Sequence, residues 1–296
     1  MSTEALDPRY LGLDLWPTET AVEAMLEGQM AAIAAIQSQT AAIARAAEAA
    51  AARLDQGGRL VFTGAGTSGR LAVQDGTELL PTFGWPMERM VFLMAGGIGA
   101  LTEAREGAED DVAAGQAEIV ACGIGPSDVV IGVAASGRTP YTVAAITQAR
   151  AAGALTIAIA NNPATALLEA AEHAVIAVTG SEVVAGSTRM KAGTAQKAVL
   201  NLLSTAIMIR LGLVYKGRMV AMRISNAKLL QRGRRMVQDI AGVEADVAAR
   251  ALETAANDIR LGVIVATGIS AEEARALLED HRGSLRAVFR TLEERQ

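Results

Sequence analysis

Residues 59–80 read RLVFTGAGTSGRLAVQDGTELL. A short apolar run, Arg59–Thr63, leads into a glycine- and hydroxyl-rich loop, Gly64-Ala65-Gly66-Thr67-Ser68-Gly69-Arg70, and the loop opens an amphipathic stretch over 69–79. Four further apolar runs follow at Met90–Met94, Asp128–Val133, Leu155–Ala160 and Ala174–Val178, with helical stretches at 110–121, 139–152 and 162–171 between them. Most of the runs are continuous and rich in β-branched residues, the pattern of strands covered on both faces. Their alternation with helices implies an α/β fold with a doubly wound, mostly parallel sheet. Right-handed crossovers then bring the C-terminal ends of the strands to one edge, where ligands bind in such sheets.

Outside this core the pattern changes. Residues 1–16 carry Pro8 and Gly12, show no period and read as an arm. From Thr18 to Asp55 an alanine-rich stretch puts Ile33, Ile36, Ile43 and Ala47 on one helical face, the Thr40 methyl filling the gap, and Gly57-Gly58 closes the helix. Past Met190 come a long apolar helix over 192–211 and a helical stretch over 224–241, whose Arg232, Arg234 and Arg235 read as a solvated face. Residues 243–295 read as three short helical segments split at Asn257, Gly268 and Gly283. The expected regions are therefore 1–55 (arm and N-terminal helices), 56–215 (the sheet domain) and 216–296 (a small helical bundle).

A chain of 296 residues can bury a large core without disulfide or metal staples. Hydrophobic residues make up 51% and charged residues 20%, which excludes intrinsic disorder. The net charge of −5 and 3% aromatic content argue against a nucleic-acid partner. No run of 18 apolar residues occurs, so no membrane helix is expected, and the acidic, polar MSTEALDPRY lacks the pattern of a secretory signal. The single Cys122 fits a reducing compartment, hence a cytoplasmic location, and reads as a small packing residue in a helix-to-strand connection. Two histidines and one cysteine supply a metal site poorly, and neither metal nor cofactor is expected.

Three loops look chemical. In Gly64–Arg70 the glycines let backbone approach a ligand, and the amides of a helix start can hold an anion. Gly64, Gly66 and Gly69 match the dinucleotide pattern, but the second run ends Leu93-Met94-Ala95-Gly96 without the acid that a ribose requires. The second loop, Ala135-Ser136-Gly137-Arg138-Thr139-Pro140, brings two hydroxyls and a helix start together, as for one phosphate on a small molecule; the plainer reading is a helix cap by Ser136 or Thr139. The third, Gly186-Ser187-Thr188-Arg189-Met190-Lys191-Ala192-Gly193-Thr194-Ala195-Gln196-Lys197, could face the same ligand, or Ser187 or Thr188 could cap the helix with Arg189 and Lys191 solvated.

GAGTSGR, AASGRTP and GSTRMKAGTAQK, with STEALDPR at 2–9, LLPTFG at 79–84, EGAEDD at 106–111 and NAKL at 226–229, together resemble the N-acetylmuramic acid 6-phosphate etherase family over about residues 2–290. The resemblance implies a sugar-isomerase (SIS) domain followed by a helical bundle similar to a ubiquitin-associated fold, in a homodimer. It implies cleavage of the lactyl ether of the sugar phosphate to N-acetylglucosamine 6-phosphate and D-lactate, in recycling of cell-wall muramic acid. Carried over by motif, Glu78 is the proton donor and Glu109 the second acid/base. Gly66, Thr67, Ser68, Ser136, Gly137, Arg138, Thr139, Ser187 and Lys191 are the substrate-binding residues, and Arg70, Arg189 and Lys191 are available to the lactyl carboxylate. The sequence departs from the family where Leu79-Leu80 replace a more common Cys-Pro, where Ser181 stands for Pro or Ala, and where Asn161 stands for cysteine.

The chemistry asks for a base, an acid and a phosphate anchor. Two carboxylates can fill both proton roles if their environments separate their pKa values. A glutamate donor must be shifted upward by burial, and Leu79, Leu80, Phe83 and Trp85 offer Glu78 an apolar surrounding. Without the resemblance, Glu78 reads as a surface helix residue and Glu109 as part of a charged helix start. His173 reads as a surface or edge residue, and His281 as a cap of the last helix or a reach toward a partner's cleft. A non-catalytic sugar-phosphate sensor, similar to the animal glucokinase regulatory protein, is the rival reading and would need neither glutamate. A SIS-containing transcription factor would carry a basic helix-turn-helix, whereas residues 1–55 hold only Arg9, Arg45 and Arg53 as cations. A phosphosugar isomerase would form a ketose.

Overall fold

The computed structural model describes residues 3–103 and 105–294. The chain forms two compact units, Met1–Thr77 with Glu88–Ala206, and Glu78–Met87 with Ile207–Gln296.

The first unit is built on five strands, β1 (Leu60–Gly64), β2 (Met90–Met94), β3 (Val129–Ala134), β4 (Leu155–Ala160) and β5 (His173–Ile176). They pair in the order β2-β1-β3-β4-β5, every pair parallel. All residues of β1, β3 and β4 are buried, because helices cover both faces. Val61, Val130 and Ala158 pack with side chains of α5 (Val112–Ala121), α6 (Pro140–Ala151) and α7 (Ala166–Ala170). On the opposite face Phe62 stacks on Phe92, and Gly76 of α3 (Gly66–Thr77) leaves room for both rings.

The strand boundaries have local causes. β1 and β3 each start one residue later than the apolar runs suggest, because Arg59 and Asp128 are spent on each other. Asp128 accepts from the Arg59 amide (2.8 Å), from its guanidinium (2.8 and 3.2 Å) and from the Gly125 amide (3.0 Å). β5 ends at Ile176 rather than Val178. One residue on, the Asn161 side chain takes the Ala177 carbonyl (3.0 Å), so an amide side chain continues what the ladder began.

Three helix expectations are corrected. The single helix over Thr18–Asp55 is two, α1 (Thr18–Ala34) and α2 (Thr40–Leu54), joined by a 3-10 turn at Gln37–Gln39. Ile36, Ile43 and Ala47 are buried, but Ile33 is half exposed, because α1 instead buries its small residues Ala24, Gly28 and Ala32. The helix over 162–171 shortens to α7: Asn162 is engaged elsewhere and Ala164 sits at positive φ, 50°. The three segments past 243 are four helices: α10 (Ala245–Thr254), α11 (Ile259–Ala266), α12 (Ala271–Asp280) and α13 (Leu285–Glu294). The breaks at Asn257, Gly268 and Gly283 all have positive φ, and three breaks make four helices.

The second unit contains these four helices, the short α4 (Leu79–Phe83) and α9 (Ala227–Ala241), which Asn226 caps by accepting from the Leu229 amide (2.9 Å). Its core includes Val237, Leu252, Ile264, Leu285 and Val288. The remaining helix, α8 (Lys191–Arg210), carries most of its length in the first unit. No helix among the described residues is long and apolar enough to cross a membrane.

Burial pushes the Asp128 carboxyl up, but the Arg59 and Gly125 hydrogen bonds outweigh it and hold it below the usual range. A depressed native pKa contributes stability that is present above the unfolded value of about 3.9 and lost as pH falls through the native one. Asp128→Asn should therefore lose roughly 2 kcal/mol at pH 7. The difference in thermal midpoint from wild type should close as pH drops below about 4.

Candidate active site

β1 and β3 are neighbours although β2 lies between them in sequence, so the loops after β1 and β3 flank the point where strand order reverses. Ligands bind at such a point in open parallel sheets. The first loop turns straight into α3, whose first residue, Gly66, has φ +53°. An added Cβ on Gly64 would stand 2.9 Å from the Gly69 backbone and from the Val133 carbonyl oxygen, so helix, loop and two strands meet with no side chain between them.

Beside this turn lies a cavity of about 280 Å³. Ala65 lines it from the loop after β1, Gly66 and Thr67 from α3, Met94 and Ala95 from the end of β2, and Glu103, Arg105, Glu106 and Glu109 from the connection that follows. Arg70 also lines it, donating twice to the Ala100 carbonyl oxygen (3.1 and 2.9 Å) and so tying that connection to α3. Glu109 sits in a 3-10 turn, Ala108–Asp110, entered through Gly107 at φ +72°. The cap of α5 is Asp111, which accepts from the Ala114 amide (2.9 Å), so the helix start does not use Glu109.

Sequence reasoning missed Arg105, Glu103 and Glu106. The signal was the glycine pair Gly96-Gly97, of which only Gly96 was read above, as the lack of an acid. An added Cβ on Gly96 would come within 2.9 Å of the Arg105 side chain, so the glycine is what lets the arginine into the cavity. Arg105 pairs with Glu103 (3.1 Å), both exposed.

In the second loop, Gly137 has φ +66°, and an added Cβ would drive into the Thr165 side chain. Thr139 holds the N-cap position of α6 without a side-chain cap bond, while Ser136 Oγ accepts from the Arg138 amide (3.1 Å). The Thr139 hydroxyl is therefore not spent on the cap. Arg138 is exposed. Ser68 is buried within the first turn of α3, away from the cavity lining.

In the third loop the helix cap comes from outside the loop. Neither Ser187 nor Thr188 caps α8. The fully buried Glu182 does, accepting from the Lys191 and Ala192 amides (2.9 Å each), and it occupies the positive end of the helix. Lys191 turns its ammonium to the Ser181 carbonyl oxygen (2.8 Å), and its stem passes Gly28 of α1. Ser187 is half-buried and Arg189 exposed.

Glu78 is exposed, at the N-cap of α4, and falls in the other compact unit from Glu109. Because its side chain is exposed, Leu79, Leu80, Phe83 and Trp85 do not give it the enclosing apolar surround expected above. His173 starts the edge strand β5, and His281 ends α12 with Nε2 3.0 Å from the Thr291 hydroxyl of α13. Arg232, Arg234 and Arg235 are exposed. Cys122 caps the C-terminus of α5, and its carbonyl accepts from Arg59. A further unforeseen group is Asp75, buried on α3 among Lys197, Asn201 and Ser204; burial, only partly offset by those partners, holds its carboxyl above the usual range. Among the described residues, no three His, Cys, Asp or Glu side chains cluster to hold a metal ion.

The class of protein follows from fold and sequence together. A model of the glucokinase regulatory protein N-terminal SIS domain matches residues 42–150, and a model of the SIS domain matches residues 113–206. A solved structure from Bacteroides fragilis NCTC 9343, assigned to phosphosugar isomerases involved in capsule formation, shares the fold with a TM-score of 0.53. It is 21% identical and covers 68% of this chain and 95% of its own. The N-acetylmuramic acid 6-phosphate etherase of Deinococcus radiodurans is 48% identical over 97% of this chain and 94% of its own, and that of Cronobacter sakazakii 44% identical over 97% of each. The enzyme of the same name from Symbiobacterium thermophilum is 48% identical over 88% of this chain and 87% of its own. The chain belongs to the N-acetylmuramic acid 6-phosphate etherase family.

Gly137→Ala should destabilise the fold by about 2 kcal/mol, from positive φ and collision with Thr165. Adding Thr165→Ala should recover only part of the thermal shift, because the backbone strain stays.

Proposed function

We propose that the chain cleaves the D-lactyl ether of N-acetylmuramic acid 6-phosphate, giving N-acetylglucosamine 6-phosphate and D-lactate in cell-wall amino-sugar recycling. Membership of the etherase family over nearly the whole chain supports this reading. The observation that carries it to residues is the cavity at the ends of β1 and β2, which Glu109 and the first turn of α3 line together.

The ether oxygen sits on C3, β to the C1 aldehyde of the open-chain sugar, so the carbonyl acidifies the hydrogen on C2. A carboxylate removes that proton. The electron pair becomes the C2–C3 double bond, the C3–O bond breaks, and a carboxylic acid protonates the departing lactate oxygen. Water then adds hydroxyl at C3 and a proton at C2. In this scheme Glu78 is the acid and Glu109 the second acid/base. The Ser136–Thr139 loop holds the phosphate by the unspent Thr139 hydroxyl and the first amides of α6, and Gly66, Thr67, Ser68, Ser187 and Lys191 complete the substrate set. Because Glu182 caps α8 and Lys191 Nζ is held by Ser181, the third loop's part falls to Ser187 more than to the lysine.

The active form is a homodimer in the cytoplasm. A stripe of half-exposed apolar side chains along α1, Val22, Leu26, Met30 and Ile33, supports the dimer: it is spaced for one helix face.

Glu109→Gln and Glu78→Gln should each fold and lose about 10²–10⁴-fold in D-lactate release. Wild-type turnover in either variant removes that residue from the scheme, and absence of lactate from the wild-type protein favours a non-catalytic sensor. Ser136→Ala with Thr139→Ala should raise KM and weaken inhibition by inorganic phosphate. Unchanged inhibition contradicts the assignment of the phosphate loop.

A further inference from the structure

Thr3 lies in a turn, outside any helix or strand, yet is fully buried. Its amide donates to Asn162 Oδ1 (3.1 Å), and Asn162 Nδ2 donates back to the Thr3 hydroxyl (2.9 Å) and on to the Ala135 carbonyl oxygen (2.9 Å). The Asn161 amide donates to that same carbonyl (3.0 Å). Asn161 Oδ1 in turn accepts from Gln196 of α8 (2.9 Å). A few residues along, Ser181 donates its hydroxyl proton to Asp7 Oδ2 (3.1 Å), and the Glu4 carboxylate lies against Gly186, where an added Cβ would stand 3.2 Å from its Oε2. The segment Thr3–Asp7 thus reaches the second loop through Thr3 and Asn162, and the third through Asp7 with Ser181 and Glu4 with Gly186. The proton transfers above use none of these residues.

The Ala135 carbonyl and the Ser136 amide share one rigid peptide plane. Fixing the oxygen fixes where the Ser136 N–H points, at the entrance to the phosphate loop. The Asn161 amide and Asn162 Nδ2 hold that oxygen from two sides, and the Thr3 hydroxyl occupies the other N–H of Asn162; without the hydroxyl a buried donor is left unpaired and the Asn162 side of the clamp loosens. We infer that Thr3 is a positioning residue for the Ser136–Thr139 loop, acting through Asn162 on the Ala135–Ser136 peptide, and that Thr3–Asp7 forms part of the frame of the substrate site. The inference rests on the etherase reading for its substrate, and on the loop alone for its anion.

The test compares Thr3→Val, which keeps the shape and removes the hydroxyl, with Thr3→Ser, which restores it. Titration calorimetry with inorganic phosphate needs no activity. Its Kd should rise about five- to tenfold in Thr3→Val, the cost of about one hydrogen bond, and return to wild type in Thr3→Ser. KM for the sugar phosphate should rise in step while kcat stays within about twofold. A folded Thr3→Val with wild-type phosphate affinity, or a Thr3→Ser that fails to rescue, overturns the inference. If Thr3→Val does not fold, Ser181→Ala, which removes the hydroxyl link from Asp7 Oδ2, should still raise KM about two- to threefold, and an unchanged KM there overturns it. Wild-type protein that binds phosphate but releases no lactate overturns the etherase reading and leaves this inference standing.

Discussion

Gly64 and Gly69 pass one another where neither has room for a side chain. An added Cβ on Gly69 would stand 2.7 Å from the Gly64 carbonyl oxygen, and one on Gly64 would stand 2.9 Å from the Gly69 backbone. This contact seats the first turn of α3 directly on the end of β1. The helix start, with its unpaired amides, therefore lies at the sheet edge rather than a loop's length away. The cavity beside it, the placing of Thr67, and the hold of Arg70 on the Ala100 turn all follow from that seat.

Around the seat the sheet edge is tied by polar groups that face inward. Asn161 and Asn162 replace backbone ladder bonds beyond β4, joining the ends of β3 and β5, α8 and the Thr3 segment. Glu182 closes the start of α8, and Arg59 with Asp128 closes the opposite end of β1 and β3. Loops that must hold a small anion in one geometry are thus set by buried, satisfied hydrogen bonds, which specify orientation more sharply than apolar packing does. The carboxylate proposed for proton transfer, Glu109, sits outside this network in a short turn, exposed beside the cavity.

The strands were legible because most are continuous apolar runs, and the loops because glycine and hydroxyls punctuate them. Strand order was not: nothing in residues 90–94 says that β2 takes the outer place and leaves β1 beside β3. The one-residue slips at Arg59 and Asp128, and the early end of β5 at Asn161, came from side chains that replace ladder bonds, which periodicity does not register. The break after Ala34 was hidden by alanine, which suits either face of a helix, so Ile33 was counted with Ile36 and Ile43 although it turns outward. At the site, Glu109 and Glu78 came from motif resemblance and not from spacing. Arg105 was missed because a glycine pair signals the room it makes and not the side chain that fills it. The cap of α8, for which Ser187 or Thr188 stood as one of two open readings, was not legible because its owner, Glu182, lies nine residues before the helix and reaches it only through the fold.

The most direct test is a crystal structure of the protein with N-acetylglucosamine 6-phosphate bound. The account places the phosphate on the Ser136–Thr139 loop at the start of α6, with C2 and C3 of the sugar beside the Glu109 carboxylate and the first turn of α3. A phosphate seated away from that loop, or a sugar whose C2 and C3 lie beyond reach of Glu109, would contradict it.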